Sequence, residues 1–285
     1  MVVRCISLIV ILTALTGCGR SPSGGTASSP SLGAHTVTPP VSTSAPPVSP
    51  PVSPPVSPPA SADEPAPGAS SDGVPPPAET GETLTFGAYV WRVIDKNDNM
   101  TLIITDEVIE FRPYHDVFDF VTWEQSDLRT WLNGEFYMSF SETDRGRIRE
   151  TNIENKNNPW YYAEYEGSEW APRGGNDTRD RIFLLSIEEA LRYFGNGGQL
   201  PAPSPEMYVT GGFSDAYDRA RVAYSARPTP WGAPEGTPCT WWLRSPGGNA
   251  DYAAIVYGDG DVQVYGDGVY RGGRGVRPAM WIIGG

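Results

Sequence analysis

The 285-residue sequence predicts an α+β domain carried at the end of a disordered Pro-rich stalk. Three observations point there. Every Trp and every Phe falls within residues 81–285, whereas residues 18–80 hold no aromatic side chain. Within 81–285, apolar residues first alternate with the period of a strand, then recur with the period of a helix. The chain then closes in short apolar runs separated by Gly-rich turns, the pattern of a β-meander.

The N-terminus comes first. "MVVRCISLIVILTALTGC" carries one early positive charge at Arg4 and an apolar run from Ile6 to Leu15. That run is too short to span a bilayer as a helix, so residues 1–17 read as an export signal. "LTGC" resembles the bacterial lipobox, which would make Cys18 the lipid-carrying first residue of the mature chain; the alternative is an ordinary secretory signal cut elsewhere. Residues 18–80 include "VSPPVSPPVSPP" at 48–59, and their only charges past Arg20 are four acids. With nothing to bury, such a chain does not recover the entropy of folding. Pro-rich chain is extended, so about sixty residues reach roughly 100–190 Å. The segment reads as a stalk, with a Pro-rich ligand for a partner domain as the alternative.

The domain elements follow in order. "YVWRVIDKNDNMTLIIT" reads as a hairpin with "DKNDN" as its turn. "TWEQSDLRTWLNGEFYMSF" reads as a helix, with Ser126 as N-cap and Leu128, Trp131, Leu132 and Phe136 on one face. Ser141 opens a second short helix with acids in its first turn. "RIFLLS" reads as a short buried strand. Ser186 and Glu189 have the spacing of a capping box, and Gly195 fits the end of the helix they begin. Residues 157–172, "NNPWYYAEYEGSEWAP", form an aromatic, acidic insertion. The last run, "VRPAMWII", is apolar enough for an inner strand and is expected near the first hairpin.

Composition narrows the function. Residues 81–285 hold 19 basic and 30 acidic residues, a net charge of −11, which disfavours nucleic acid as a partner. After processing only Cys18 and Cys239 remain, so no internal disulfide forms and packing must hold the domain. His35 lies in the stalk, leaving His115 alone, which argues against a His-based active site. Glu164, Glu166 and Glu169 sit among Trp160, Tyr161, Tyr162, Tyr165 and Trp170, as in a saccharide cleft. Clustering alone does not supply the two spaced carboxylates a glycosidase needs. Asp259, Asp261 and Asp267 offer oxygen ligands for calcium, but their spacing matches no EF-hand. The expectation is no cofactor, with calcium as the alternative.

"TWEQSDLRTWLN", "DRIFLLS", "WWLRSPG" and "GVRPAMW", in this order, resemble an uncharacterised bacterial family described as a domain of unknown function. Its members look like relatives of the C-type-lectin-like fold, also used by the formylglycine-generating enzyme. That enzyme's chemistry uses a cysteine pair, and Cys239 stands alone, so the catalysis does not carry over. In some relatives the segment between "WWLRSPG" and "GVRPA" is rewritten by diversity-generating retroelements, which turn Asn codons into Tyr, Asp, Gly, Ser, Arg, Ala, Ile or His. The resemblance implies that residues 248–274 are a variable, ligand-binding segment; Gln263 departs from that alphabet.

Strand alternation reaches the same segment independently. In "DVQVY", Val262 and Val264 point to one side, and Asp261, Gln263 and Tyr265 to the other. Ala254 and Val256 join the valines, so Ile255 and Tyr257 are expected to face out, and Tyr270 continues the pattern after Val269. The two "GDG" triplets, 258–260 and 266–268, read as hairpin turns. The candidate ligand-binding residues are Asn249, Asp251, Tyr252, Ile255, Tyr257, Asp259, Asp261, Gln263, Tyr265, Asp267, Tyr270, Arg271 and Arg274. Trp241, Trp242, Arg244 and Arg277 are expected as framework. The function expected is ligand binding without catalysis, the partner being an extracellular protein or a glycan and the membrane being reached through the lipid anchor alone. A glycan-active envelope enzyme and a purely structural envelope protein are the alternatives.

Overall fold

The computed structural model describes residues 81–284 except 98, 196–197, 205–207 and 209; the export signal, Cys18 and the stalk lie outside the described residues. The domain is mixed α+β, with many strands and few helices. The expected hairpin forms from β2 (Tyr89–Asn97) and β3 (Met100–Thr105), with β1 (Thr83–Phe86) pairing antiparallel on its outer edge. The C-terminal strand β13 (Ala279–Ile283) pairs antiparallel with β3, so the described domain's two ends meet in one four-stranded sheet.

The second sheet has five strands in the order β11 (Val262–Gly268), β10 (Tyr252–Val256), β9 (Trp241–Pro246), β12 (Gly275–Val276) and β4 (Glu110–Phe111). Strands β9, β10 and β11 form the expected meander, whereas β12 crosses over and runs parallel to β9. Two small ribbons, β5 (Thr151–Ile153) with β6 (Thr178–Asp180) and β7 (Ala223–Tyr224) with β8 (Pro238–Cys239), lie outside these sheets. "RIFLLS" is buried, as its apolar run requires, but it meets the first sheet only through a single bridge from Phe183 to Ala279.

The helices are short. In α1 (Asp127–Trp131) the Ser126 hydroxyl accepts the Arg129 N–H at 3.2 Å, and the chain continues as a π-helical turn, Leu132–Phe136. Helix α2 spans Glu142–Arg147 and α4 spans Asp218–Arg221. Helix α3 (Ile187–Phe194) begins with a complete capping box: Ser186 Oγ accepts from Glu189 N, and Glu189 Oε2 accepts from Ser186 N at 2.9 Å. None of the described helices is long and apolar enough to cross a membrane.

Both faces of the five-stranded sheet are covered at its centre. Trp241 lies against the Arg277 guanidinium (5.2 Å), which also stacks on Phe194 (5.0 Å). Trp242 packs edge-on against Tyr114 (5.7 Å) and donates its indole N–H to the Arg112 carbonyl. Both tryptophans are fully buried. Arg277 has no ion-paired carboxylate among the described residues and donates to the Thr105 carbonyl at 2.8 Å. Burial pulls its pKa down to about 9, which leaves it charged at neutral pH. Arg244 donates to the Leu184 carbonyl (2.8 Å) and to both oxygens of Glu189, tying β9 to the start of α3. Burial opposes ionisation of Glu189, but the Arg244 guanidinium overcomes it and holds the carboxyl below its ordinary value.

Candidate recognition surface

The valines of the C-terminal segment, Val256, Val262, Val264 and Val269, are all fully buried. Tyr257 and Tyr270 are 39% and 41% exposed, and Tyr265 is half-buried. Three residues expected to face out do not. Ile255, Gln263 and Asp251 are buried. The register explains the first two: Ile255 stands opposite both Trp242 and Gln263, so the three share one sheet face. The Tyr114 and Arg112 region roofs that face over Trp242. Gln263 is further enclosed by residues 210–213, which run beside β11: Phe213 and Val262 exchange backbone hydrogen bonds, and Tyr265 N donates to the Gly211 carbonyl at 2.7 Å. With its amide turned to satisfy both groups, Gln263 donates to the carbonyls of Thr210 and Gly211. Asp251 lies in the turn into β10, its carbonyl accepts from Val269 N at 2.9 Å, and its carboxyl is folded inward, where burial raises its pKa.

The "GDG" triplets also part company. The first closes the β10–β11 hairpin, with Tyr257 N donating to Asp261 O and Gly260 at φ +100°. The second is a bulge inside β11, not a turn. Between the pairs Ile255–Gln263 and Ala253–Asp267, β11 carries two residues more than β10, and Gly266 takes φ +71°.

The candidate residues therefore separate to two ends of the sheet. Tyr257, Asp259 and Asp261 lie at the hairpin tip, beside Asp218 and Asp215, both of which pair with the buried Arg221. Burial, then the Asp259 and Asp218 carboxylates, raise the pKa of Asp261. Asn249, Tyr252, Tyr265, Asp267, Tyr270, Arg271 and Arg274 gather at the other end. There Asp267 accepts from Arg274 Nε at 2.7 Å, and Arg271 lies 3.8 Å away while also covering the Tyr270 ring.

This second end is built from three loops. Tyr252 contacts Tyr265 edge-on (5.2 Å), Tyr265 contacts Tyr161 (5.3 Å), and Tyr161 contacts Tyr208 (5.4 Å). Asn249 donates to the Tyr265 hydroxyl at 3.3 Å. Ala250 binds the neighbouring loops through its backbone, donating to the Trp170 carbonyl and accepting from Val121 N. Trp170 packs on Phe120 (4.7 Å) and Phe118 packs on Tyr270 (5.5 Å). Phe118 is 64% exposed, and Val117, Phe120 and Trp170 are exposed beside it. Burial raises the Tyr161 hydroxyl to about 12. Among the described residues, neither that hydroxyl nor Asp251 Oδ1 has a hydrogen-bond partner.

The residue that fastens the insertion is Asn158. Fully buried, it donates from Nδ2 to the carbonyls of Pro246, Gly247 and Val264 at 2.8–3.0 Å, and its Oδ1 accepts from Trp160 N and Tyr161 N. Sequence reasoning missed Asn158, Phe118 and Phe120. The two phenylalanines carried a signal, since "DVFDF" is apolar between acids and belongs to no strand or helix pattern; Asn158 carried none. Glu164, Glu166 and Glu169 are exposed on the insertion. Among the described residues no three His, Cys, Asp or Glu side chains are grouped to hold a metal ion. Cys239 is buried and unpaired.

No curated protein and no solved structure matches the chain. Residues 98–284, which include the whole five-stranded sheet, β3 and β13 of the first sheet and all three loops of the aromatic end, match the family described as Domain of unknown function (DUF6273), and the chain belongs to that family.

Proposed function

We propose that this chain is a lipid-anchored, surface-displayed binding protein without catalytic activity, which recognises a protein or a glycan through the aromatic end of its five-stranded sheet. One observation carries the reading. Three loops distant in sequence converge on Ala250 and Tyr265 and present three groups of touching aromatic side chains at the end of a sheet whose valines are wholly buried. Tyr and Trp give large contact area at low entropic cost, and exposed apolar patches of this kind mark interaction sites. A C-type-lectin-like fold, an anchor at Cys18 and a Pro-rich spacer belong to the same reading, because they hold such a surface away from a membrane.

If residues 248–274 are diversified, the burial of Asp251, Ile255 and Gln263 confines tolerated change to exposed positions such as Tyr257, Tyr270 and Arg271. A near-copy of the coding segment beside a reverse transcriptase gene, differing at adenines, tests that directly. Binding is tested with the full mature chain on a panel of intact bacterial cells, either untreated, protease-treated or periodate-oxidised. The expected result is binding to some cells, abolished by one of the two treatments and weakened about tenfold or more by combining Trp170→Ala with Tyr270→Ala. Binding unaltered in that double variant would overturn the proposal.

A further inference from the structure

We propose a second binding site, for one neutral sugar unit, in the cleft between β5, the start of α3 and the end of β9. The cleft encloses ≈ 220 Å³. That is less than the roughly 300–1,000 Å³ of sites for drug-sized ligands, so it suits a single small ring. Its walls differ in character: Pro159, Leu200 and Pro246 are apolar, while Asn152, Asn155 and Ser245 are polar and uncharged. A pyranose has the same two-sided character, with C–H faces and a rim of hydroxyls.

The charges lining the cleft balance: Lys156, Arg192 and Arg244 stand against Glu154, Glu188 and Glu189, with Arg192 beside Glu189. Lys156 Nζ lies 2.8 Å from Glu188 and 3.6 Å from Glu154, and Arg244 Nη2 lies 3.0 Å from Glu189. An anion or a cation would have to compete with these pairs; a neutral molecule would not. Two polar atoms of the lining residues have no partner among the described residues. Asn155 Oδ1 is an acceptor and Arg244 Nε a donor, on side chains only 9% and 4% exposed. Buried polar groups are seldom left unpaired. A hydroxyl both donates and accepts, so one class of ligand group serves both atoms. The site is separate from the aromatic end and does not rest on its role.

The test is saturation-transfer NMR on the full chain with glucose, galactose, mannose and N-acetylglucosamine, beside acetate and methylammonium. Transfer is expected to at least one sugar and to neither ion. It should fall about tenfold in Asn155→Ala, the loss of one hydrogen bond to a buried group. It should fall likewise in Asn152→Trp, which fills the mouth of the cleft from an exposed strand position, and persist in Tyr270→Ala. Near-UV circular dichroism identifies the folded variants, and either cleft variant alone decides the matter. The proposal is overturned if no sugar shows transfer, if an ion is preferred, or if transfer survives in a folded cleft variant. Loss of the signal in Tyr270→Ala instead would move the sugar to the aromatic surface and equally overturn it.

Discussion

The chain contains the run "VYGDG" twice, at 256–260 and 264–268, and the copies do different work. Their valines agree: both are fully buried. Everything after the valine diverges. Tyr257 stands exposed at a hairpin tip, whereas Tyr265 packs between Tyr161 and Tyr252. Asp259 is exposed, whereas Asp267 is held by Arg274. In the first copy the third glycine-run position, Gly260, takes positive φ; in the second it is Gly266. Five identical residues thus make a turn beside Asp218 and Arg221 and a bulge where β10, Asn158 and the 210–213 segment fix the backbone. Local sequence sets which conformations are cheap, and tertiary partners choose among them.

The comparison can be broken most forcefully at the glycines. A Cβ on Gly266 would lie 1.9 Å from the Ala253 carbonyl oxygen, and one on Gly260 would lie 1.9 Å from that of Asp218, both at positive φ. Gly266→Ala and Gly260→Ala should each cost about 3 kcal/mol or more in urea unfolding. Gly258→Ala, whose Cβ meets nothing closer than 3.2 Å, should cost less than about 1 kcal/mol. Equal costs across the three would show that the two copies are not conformationally distinct in this way.

Asn158 is the next lever, because it holds the second copy through the Val264 carbonyl, whereas the first is held at the Gly260 carbonyl by Arg221 Nε. Asn158→Ala removes five hydrogen bonds at a buried site and should cost about 2–3 kcal/mol. It should also raise amide exchange in residues 157–172 and 264–268 while leaving the hairpin tip unchanged. Uniform exchange across both copies would contradict the assigned role.

Smaller effects separate the acids. Asp267→Asn should cost about 1 kcal/mol through the partly buried Arg274 pair, and Asp259→Asn close to nothing. Asp261→Asn should stabilise by less than about 1 kcal/mol at neutral pH, by relieving the burial of the charge and its repulsion from Asp259 and Asp218, which together raise the Asp261 pKa. The sign follows from the direction of that shift. A carboxyl with a raised folded pKa penalises folding above that value, and the penalty disappears as pH falls through it. The benefit of Asp261→Asn should therefore fade on acidification, and a benefit that grew would contradict the account.

Much of the scaffold was legible because its signals are local. "DKNDN" leads into the turn between β2 and β3, although its first three residues extend β2, Ser186 and Glu189 cap the helix they begin, and the valines alternate with a strand's period. What escaped depends on partners far along the chain. Gln263 is polar enough for a surface, but residues 210–213 cover it. Ile255 was a warning within the sequence itself, an aliphatic side chain in a row otherwise assigned to solvent. Its burial beside Trp242 shows that the sheet has two covered faces, and only its ends stay open. The recognition surface consequently shifts from the face of the meander to one end of it, and recruits Phe118, Phe120 and Trp170.

The most direct measurement pairs urea unfolding with cell binding for the full mature chain and a variant combining Phe118→Ser, Trp170→Ala and Tyr270→Ala. The account predicts an unfolding free energy within about 1 kcal/mol of the parent, because these side chains are exposed, together with binding weakened about tenfold or more. Binding that persists unchanged in the folded variant, or that is lost only because the variant unfolds, would contradict it.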